Sequence, residues 1–192
     1  MVQAQHYCLF DTAIGVCGLA WSEGGITRLR LPERDRDALE RRLRTSTGQP
    51  EPSTPPQPIA NAIADVQRYM TGAKVDLTET ALDMAGVDPF QRKVYEAARS
   101  IVWGETATYG EIAARIGAAG EAREVGQALG RNPVPIIVPC HRVLAKGNRL
   151  HGFSAYGGTL TKERLLALEG VHTEDGAPLL LGLLSGDARQ KS

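Results

Sequence analysis

No apolar run in the sequence approaches the ~20 residues of a membrane-spanning helix, so we expect no membrane segment. The first residues lack the basic and then apolar stretches of a secretory signal. Cysteine is scarce, with three residues and no framework spacing, which favours a reducing, cytoplasmic environment. The net charge is zero, which argues against a strongly cationic nucleic-acid binder. These absences indicate a globular protein whose 192 residues form one or two domains.

Positive charge is nevertheless concentrated in one part of the chain. From Phe90 to Gly170 there are eleven Lys and Arg residues against seven Glu residues, so this part is basic and the remainder is acidic. Such a distribution permits contact with nucleic-acid phosphates without requiring it.

The first half of the chain predicts a small sheet followed by helices. Residues 6–31 contain three apolar runs broken at glycine-rich turns, which is typical of an antiparallel meander. Residues 33–44 and 59–70 have helical apolar spacing, and residues 71–87 have no clear pattern. Five prolines make residues 45–58 a loop. We therefore expect an N-terminal domain over residues 1–86.

The second half predicts a helical domain over residues 87–170 and a tail over 171–192. Asp88 and Pro89 are typical of a helix start, and the first helix should reach Ile101. Two short alanine-rich helices then fit a helix-turn-helix, with Gly130 as the C-terminal cap of the second. A last helix is expected over residues 161–169.

Cys140 is the thiol in the most chemical setting, because His141 and Arg142 follow it directly. A free thiol titrates near pH ~8.5, and a neighbouring imidazole or cation lowers its pKa. Buried cysteine is more often only a small hydrophobic residue. Adjacent residues do not face each other on a helix, so His141 would reach the sulfur from a turn or through a water.

A nucleophile and its base need a third group that orients the base. Glu163 and Glu169 are the carboxylates nearby downstream, and Asn132 is a candidate for holding the turn. Tyr109 and Lys162 are possible proton donors. A zinc site formed by His6, Cys8 and Cys17 is conceivable, but the spacing is wrong and no fourth ligand is evident.

A helix-turn-helix close to a reactive cysteine suggests chemistry on nucleic acid. A base inside a duplex must be flipped out before chemistry, and a residue must then fill the gap. Arg123, near the start of the second helix, is the natural candidate. Small residues around it, such as Ala122, would permit close approach to a groove.

Residues 90–170 resemble the methylated-DNA–protein-cysteine S-methyltransferases, also called O6-alkylguanine-DNA alkyltransferases. The resemblance rests on these motifs: Pro139-Cys140-His141-Arg142-Val143, Thr108-Tyr109-Gly110-Glu111, Arg123-Glu124-Val125-Gly126, Arg131-Asn132-Pro133-Val134-Pro135, Gly157-Gly158, Lys162-Glu163 and residues 165–170. The N-terminal part is compatible with the family's sheet-bearing domain but carries little signal of its own.

The resemblance implies DNA repair by stoichiometric transfer of an alkyl group from guanine O6, and less readily from thymine O4, to Cys140. It implies that His141 acts as the base through a water and that Glu169 orients it. It implies that Asn132 holds the turn carrying the cysteine, that Tyr109 donates to the guanine ring and that Lys162 has a place in the proton network. The implied DNA-binding residues are Arg123, Tyr109, Thr108, Ala122 and Gly126, and the implied base-pocket residues are Val143, Ser154 and Leu129.

The family's fold implies an α+β protein with a ribonuclease H-like N-terminal domain and a winged-helix-like helix-turn-helix. The implied partner is double-stranded DNA carrying O6-alkylguanine, contacted from the minor groove by a monomer without cofactor or metal. Two features depart from the family pattern. Glu124 stands where many members have a small apolar residue, and it could weaken phosphate attraction or pair with Arg123. The loop 150–156 is longer than in some members.

Three other functions compete with repair. A protein that recognises alkylated bases without repairing them would lack the acceptor cysteine. A transcriptional regulator that senses alkylation would be expected to carry a further effector domain. A cysteine hydrolase of small esters or peptides would turn over repeatedly.

Overall fold

The structure is a computed structural model that describes residues 5–147, 149–150 and 156–172. It combines a small sheet with helices, which confirms the predicted mixed α+β class. The predicted pocket residue Ser154 and residues 173–192 of the predicted tail lie outside the described residues. No helix in the described ranges is long and apolar enough to cross a membrane.

The N-terminal sheet contains the three predicted antiparallel strands and one that was not predicted. The predicted strands are β1 (His6–Thr12), β2 (Gly15–Ser22) and β3 (Gly25–Arg30). A fourth, β4 (Glu51–Pro52), pairs with β1 in the parallel direction, so the strand order is β3-β2-β1-β4. The prediction that residues 45–58 form only a loop is therefore wrong. The main-chain N–H groups of Glu51 and Ser53 make this pairing, so the sequence shows no alternating apolar pattern that would predict the strand.

Helix α1 (Arg36–Ser46) covers one face of the sheet. It begins after the predicted start at Glu33, because the Asp35 side chain accepts a hydrogen bond from a main-chain N–H of the first turn. Its apolar stripe packs closely on β2. A Cβ at Gly18 would lie 2.9 Å from Cδ2 of Leu43, so glycine is what permits this approach.

Helix α2 (Gln57–Met70) packs against the opposite face of the sheet and was predicted over residues 59–70. Its buried side includes Val66, Tyr69 and Met70. The following residues 71–87 are largely irregular, as predicted, apart from a bridge between Ile26 and Leu82.

The C-terminal half is mainly helical. Its elements are α3 (Pro89–Arg99), β5 (Ala107–Thr108), α4 (Tyr109–Arg115), α5 (Ala122–Gly130), a short 3-10 helix (Cys140–Arg142), β6 (Val143–Leu144) and α6 (Thr159–Leu168). Asp88 caps α3 and Pro89 is its first residue, as predicted. Three helices differ in their bounds: α3 ends before Ile101, Gly130 is the last residue of α5 rather than its cap, and α6 covers residues 159–168 rather than 161–169.

The core runs through both halves of the chain. One cluster of buried apolar residues includes Leu29 and Val66 on one side of Gly86, and Val94 and Val138 on the other. The main-chain N–H of Leu29 also donates to the carbonyl of Pro133 at 2.9 Å. The predicted domain boundary near Gly86 stays a prediction, but the two halves share buried surface.

Candidate active site

The helix-turn-helix is built by α4 and α5, whose apolar sides pack on each other. Thr108 caps α4: its side chain accepts from the N–H of Glu111, and the Glu111 carboxylate accepts from the N–H of Thr108. This reciprocal capping fixes where α4 begins, and so fixes Tyr109 as its first residue. A Cβ at Gly126 would lie 3.7 Å from the Tyr109 ring, so the ring rests on α5 at a glycine.

Arg123 is exposed in the first turn of α5, where sequence reasoning placed it. Ala122 and Gly126 lie one turn apart on the same helix and are partly buried. Glu124 is exposed beside Arg123, but no ion pair joins the two side chains in the described part of the chain. The side chain of Arg123 therefore remains available at the surface.

A tight segment connects α5 to Cys140, and Asn132 holds it together. Its Nδ2 donates to the carbonyl of Val138 at 2.8 Å, and its Oδ1 accepts from the N–H of Val134 at 3.0 Å. Between these contacts Ile136 has a φ of 74°, which is strained for a β-branched residue. The strain persists because Asn132 binds the chain on both sides of it. This segment, residues 131–139, is the hinge that leads to Cys140, and Asn132 holds its turn.

The thiol of Cys140 is buried in the first turn of the 3-10 helix, where only 8% of the residue is exposed. Burial raises the pKa of this thiol, because a thiolate is poorly solvated there. A hydrogen bond with Asn132, the charge of Lys162 and two main-chain N–H groups oppose that rise. The expectation that a neighbouring cation or imidazole lowers the thiol pKa is wrong in its net direction, since desolvation is the larger effect. The resting group is a thiol that needs a base.

His141 and Glu169 form the predicted pair deep in the protein. His141 Nε2 lies 2.7 Å from Oε1 of Glu169, and both side chains are fully buried. Burial lowers the pKa of His141, so the imidazole is neutral near pH 7. Its other ring nitrogen, Nδ1, has no hydrogen-bond partner among the described residues. With Nε2–H directed at the carboxylate, Nδ1 carries the lone pair and is the basic atom.

Arg142 binds the same carboxylate from another side. Its Nε lies 2.9 Å from Oε2 of Glu169 and its Nη2 lies 3.1 Å from Oε1, while Nη1 donates to the carbonyl of Ile101. These donors, together with His141, hold the pKa of Glu169 at about 2 despite burial. Arg142 therefore has a structural role, because it ties the stretch after α3 to Glu169.

Tyr69 belongs to this cluster and was missed by sequence reasoning. Its hydroxyl donates to Oε1 of Glu169 at 2.6 Å and lies 3.0 Å from Nε2 of His141. A signal was present: Tyr69 lies three residues after Val66 on the apolar side of α2, and a buried phenol needs a polar partner. The partner itself is 100 residues away in the sequence, which no local pattern reveals.

Lys162 and Tyr109 meet on the other side of Cys140. The Lys162 ammonium donates to the carbonyl of Val143 at 2.6 Å and lies 5.8 Å from the centre of the Tyr109 ring. Burial lowers the pKa of Lys162 to about 8, so it can gain or lose a proton near neutral pH. Val143 and Leu129, predicted to line the base pocket, are both buried in the core cluster that also contains Cys140.

The conceivable zinc site is not assembled. His6 Nδ1 is bonded to Ser53 Oγ at 2.9 Å, and Cys17 is buried opposite Phe10 in the sheet. No group of three or more potential metal-ligating side chains occurs within residues 5–147, 149–150 and 156–172. Cys8 and Cys17 are strand residues, as predicted.

Known proteins resemble this chain over most of its length. A sequence model described as 6-O-methylguanine DNA methyltransferase, DNA binding domain, matches residues 89–171. The methylated-DNA–protein-cysteine methyltransferase of Mycolicibacterium paratuberculosis is 40% identical over 170 residues, which are 88% of this chain and 94% of that protein. The chain belongs to the methylated-DNA–protein-cysteine methyltransferase family. The relative from Methanothermobacter thermautotrophicus is 36% identical over 82% of this chain and 81% of its own.

Solved structures of this methyltransferase family have the same fold. Mycobacterium tuberculosis OGT in complex with DNA aligns with a TM-score of 0.68 at 38% identity, covering 85% of this chain and 92% of that chain. The O6-methylguanine-DNA methyltransferase of Pyrococcus kodakaraensis aligns with a TM-score of 0.65 at 28% identity, covering 86% and 99%. The similarity thus includes the N-terminal part, which carried little signal in the sequence.

Proposed function

We propose that this protein repairs DNA by moving a methyl group from guanine O6 to its own Cys140. The observation that carries the proposal is the buried Cys140 thiol, which lies directly after a hinge that begins at the end of the exposed helix α5. The His141–Glu169 pair next to it supplies a base. Helix-turn-helix and thiol are thereby joined in one short stretch of chain.

The transfer is an in-line displacement. The Sγ–C bond forms while the C–O6 bond breaks, and the electron pair of that bond leaves with the guanine. Nδ1 of His141 takes the thiol proton through a water, and Glu169 stabilises the imidazolium that results. The Tyr109 hydroxyl donates a hydrogen bond to the guanine ring, which makes guanine a better leaving group, and Lys162 belongs to the same proton network.

One molecule repairs one lesion. The product is a thioether, which is not easily reversed, and the other two cysteines lie in strands of the N-terminal sheet. Neither Cys8 nor Cys17 is placed to release the alkyl group. Thymine O4 is a slower substrate of the same displacement.

DNA is handled by α5. Arg123 fills the gap left by the flipped nucleotide, while Ala122 and Gly126 let the helix approach the minor groove closely. Thr108 and Tyr109 contact the backbone next to the lesion. Val143, Leu129 and Ser154 line the pocket for the extruded base.

We also propose that the two halves have the finer folds expected of the family. A sheet of order β3-β2-β1-β4 with its fourth strand parallel supports a ribonuclease H-like N-terminal domain. The antiparallel bridge between Ala145 and Arg149, just after β6, supports a winged-helix-like arrangement. We further propose that the protein acts as a monomer and that it works in the cytoplasm; the three free cysteines support the reducing compartment.

Replacement of the acceptor tests the function. We expect Cys140→Ala to abolish methyl transfer from O6-methylguanine DNA, measured as the mass of the peptide containing residue 140, and to leave DNA binding intact. Cys17→Ala, which removes a buried cysteine of the sheet, is the matched control and should transfer normally.

The rival functions give different results in the same experiment. No added methyl on Cys140 of the unaltered protein would favour recognition without repair. Loss of DNA binding in Cys140→Ala would make the cysteine structural. Repeated turnover of a small ester would favour a hydrolase.

A further inference from the structure

Tyr69 reaches the reaction centre from outside the region that binds DNA. It lies on α2, in the N-terminal half of the chain and before the residues 89–171 that match the family's DNA-binding domain. None of its surface is exposed. Its ring packs edge-on against Trp103 at 5.1 Å and against His141 at 6.2 Å. These contacts fix the orientation of the ring, so its hydroxyl points at Glu169.

The directions of the hydrogen bonds follow from the chemistry of the groups. An ionised carboxylate can only accept, so Tyr69, His141 and Arg142 all donate to Glu169. The Tyr69 proton is thus committed to Oε1 of Glu169 at 2.6 Å. The phenol is not a base for the thiol, because burial and the neighbouring carboxylate raise its pKa further above 10.

We propose that Tyr69 is a positioning residue for methyl transfer: its hydroxyl shares the negative charge of Glu169 and so sets how strongly His141 holds the thiol proton. This inference rests on the proposed function of Cys140. The charged and titratable groups around the carboxylate and imidazole are Glu169, Tyr69, Arg142, His141, Cys140 and Lys162.

Loss of the Tyr69 hydroxyl should move the pH profile of methyl transfer in one direction. Each donor to Glu169 neutralises part of its charge and weakens its pull on a proton of His141. Without the Tyr69 hydroxyl, only two donor side chains, His141 and Arg142, share the charge of Glu169. The carboxylate then stabilises the protonated form of His141 more strongly. His141 must be neutral to act as the base, so the acid side of the pH profile moves to higher pH.

The first variant is Tyr69→Phe, assayed by single-turnover methyl transfer from duplex DNA between roughly pH 5 and 9, a range that brackets the ordinary pKa of an imidazole. We expect the acid limb to move up by about one pH unit, so that transfer below both midpoints is roughly tenfold slower. Transfer at alkaline pH and the Kd for DNA should change little.

The matched control is Tyr7→Phe. Tyr7 is also a buried tyrosine that donates to a carboxylate, that of Glu40, but it packs under α1 on the opposite face of the sheet. It should lose comparable stability and keep the pH profile of the unaltered protein. A shift of equal size in Tyr7→Phe would mean that general loosening moves the profile, which overturns the proposal.

A second variant changes the hydroxyl without removing it. Replacing Tyr69 with 3-fluorotyrosine makes the phenol a stronger donor to Glu169, so the acid limb should move to lower pH. If Tyr69 were purely structural, the two variants would not shift the acid limb of the pH profile in opposite directions. An unchanged profile in both Tyr69 variants, with normal transfer by the unaltered protein, sinks the positioning role alone. Absence of methyl on Cys140 of the unaltered protein overturns the proposed function instead, and this inference with it.

Discussion

At the scale of single residues, Glu169 decides the chemistry of the site although it touches no substrate. Its side chain is fully buried, which by itself would raise its pKa. It nevertheless stays ionised because His141, Arg142 and Tyr69 donate to it, and the N–H of Gly104 adds a contact at 3.3 Å. A buried charge is tolerated only when its acceptor sites are filled in this way.

Lys162 is the buried group for which the pH dependence of stability is clearest. Its pKa is about 8 in the folded protein, against 10.5 for an unperturbed lysine. Between these values the unfolded chain binds more protons than the folded one, so stability rises with pH. Below the folded pKa the full cost of burying the charge is present.

We therefore expect Lys162→Met to remove this rise. Plotted as a difference from the variant, the free energy of unfolding of the unaltered protein should increase by up to ~1.4 kcal/mol per pH unit between about pH 8 and 10.5. Chemical denaturation at several pH values measures it. Lys93→Met, at an exposed lysine of α3, is the control and should show no such slope. If the free energy of unfolding depended on pH in the same way in both variants, Lys162 would be solvated in the folded protein.

At the scale of elements, α5 and the hinge after it act as one unit. Helix α5 has Arg123 in its exposed first turn. Asn132 lies two residues after Gly130, the last residue of this helix. Strain at Ile136 is held by the two Asn132 contacts, so the thiol is fixed relative to the helix end. The helix proposed to bind DNA therefore also sets the position of the proposed nucleophile.

This arrangement makes a prediction for Arg123→Ala. Flipping a base costs a few kcal/mol, and a side chain that fills the gap lowers that cost only in a duplex. We expect methyl transfer from duplex DNA to slow roughly tenfold or more, while reaction with free O6-methylguanine or its O6-benzyl analogue changes little. Equal loss on both substrates would contradict the flipping role.

The matched control for this prediction is Arg131→Ala. Arg131 is an exposed arginine at the other end of the same helix, so the variant removes the same charge from the same element. It should change the duplex rate less than Arg123→Ala does. Similar losses in the two variants would indicate that general phosphate attraction accounts for the effect.

At the scale of the whole molecule, the N-terminal half contributes to the active site through packing and through Tyr69. The buried cluster that contains Cys140 also contains Leu29 of β3, and β3 is bonded to the hinge at Pro133. The two halves should therefore lose structure together, even if residues 1–86 and 87–170 are distinct domains by sequence.

Leu29→Ala tests this coupling. Leu29 is 1% exposed, and truncating a buried leucine costs about 2–5 kcal/mol, which lowers Tm by roughly 5–15 °C in a chain of this size. We expect one calorimetric transition, with the reactivity of the Cys140 thiol rising in the same temperature range. Leu160→Ala, at a leucine that is 49% exposed on α6, should leave Tm almost unchanged. Two separated transitions would instead support independent domains divided near Gly86.

Local patterns determined much of this protein, because caps, turns and apolar spacing act over a few residues. Three strands, the helix-turn-helix and the acceptor motif around Cys140 were predicted from such patterns, and the family was recognised from its motifs. Boundaries such as the start of α1 depended on which side chain caps, here Asp35. These are properties that a short stretch of sequence carries by itself.

Only the tertiary structure decided the environment of Cys140. Desolvation raises the pKa of its thiol by more than the nearby charge and hydrogen bonds lower it. Burial of this kind cannot be inferred from the neighbouring residues in the sequence. Tyr69 meets Glu169 across 100 residues, and β4 pairs with β1 through main-chain hydrogen bonds. The motif that identifies the nucleophile is local, whereas the groups that set its reactivity converge only when Tyr69 of α2 and Lys162 of α6 come to lie beside the 3-10 helix that holds Cys140.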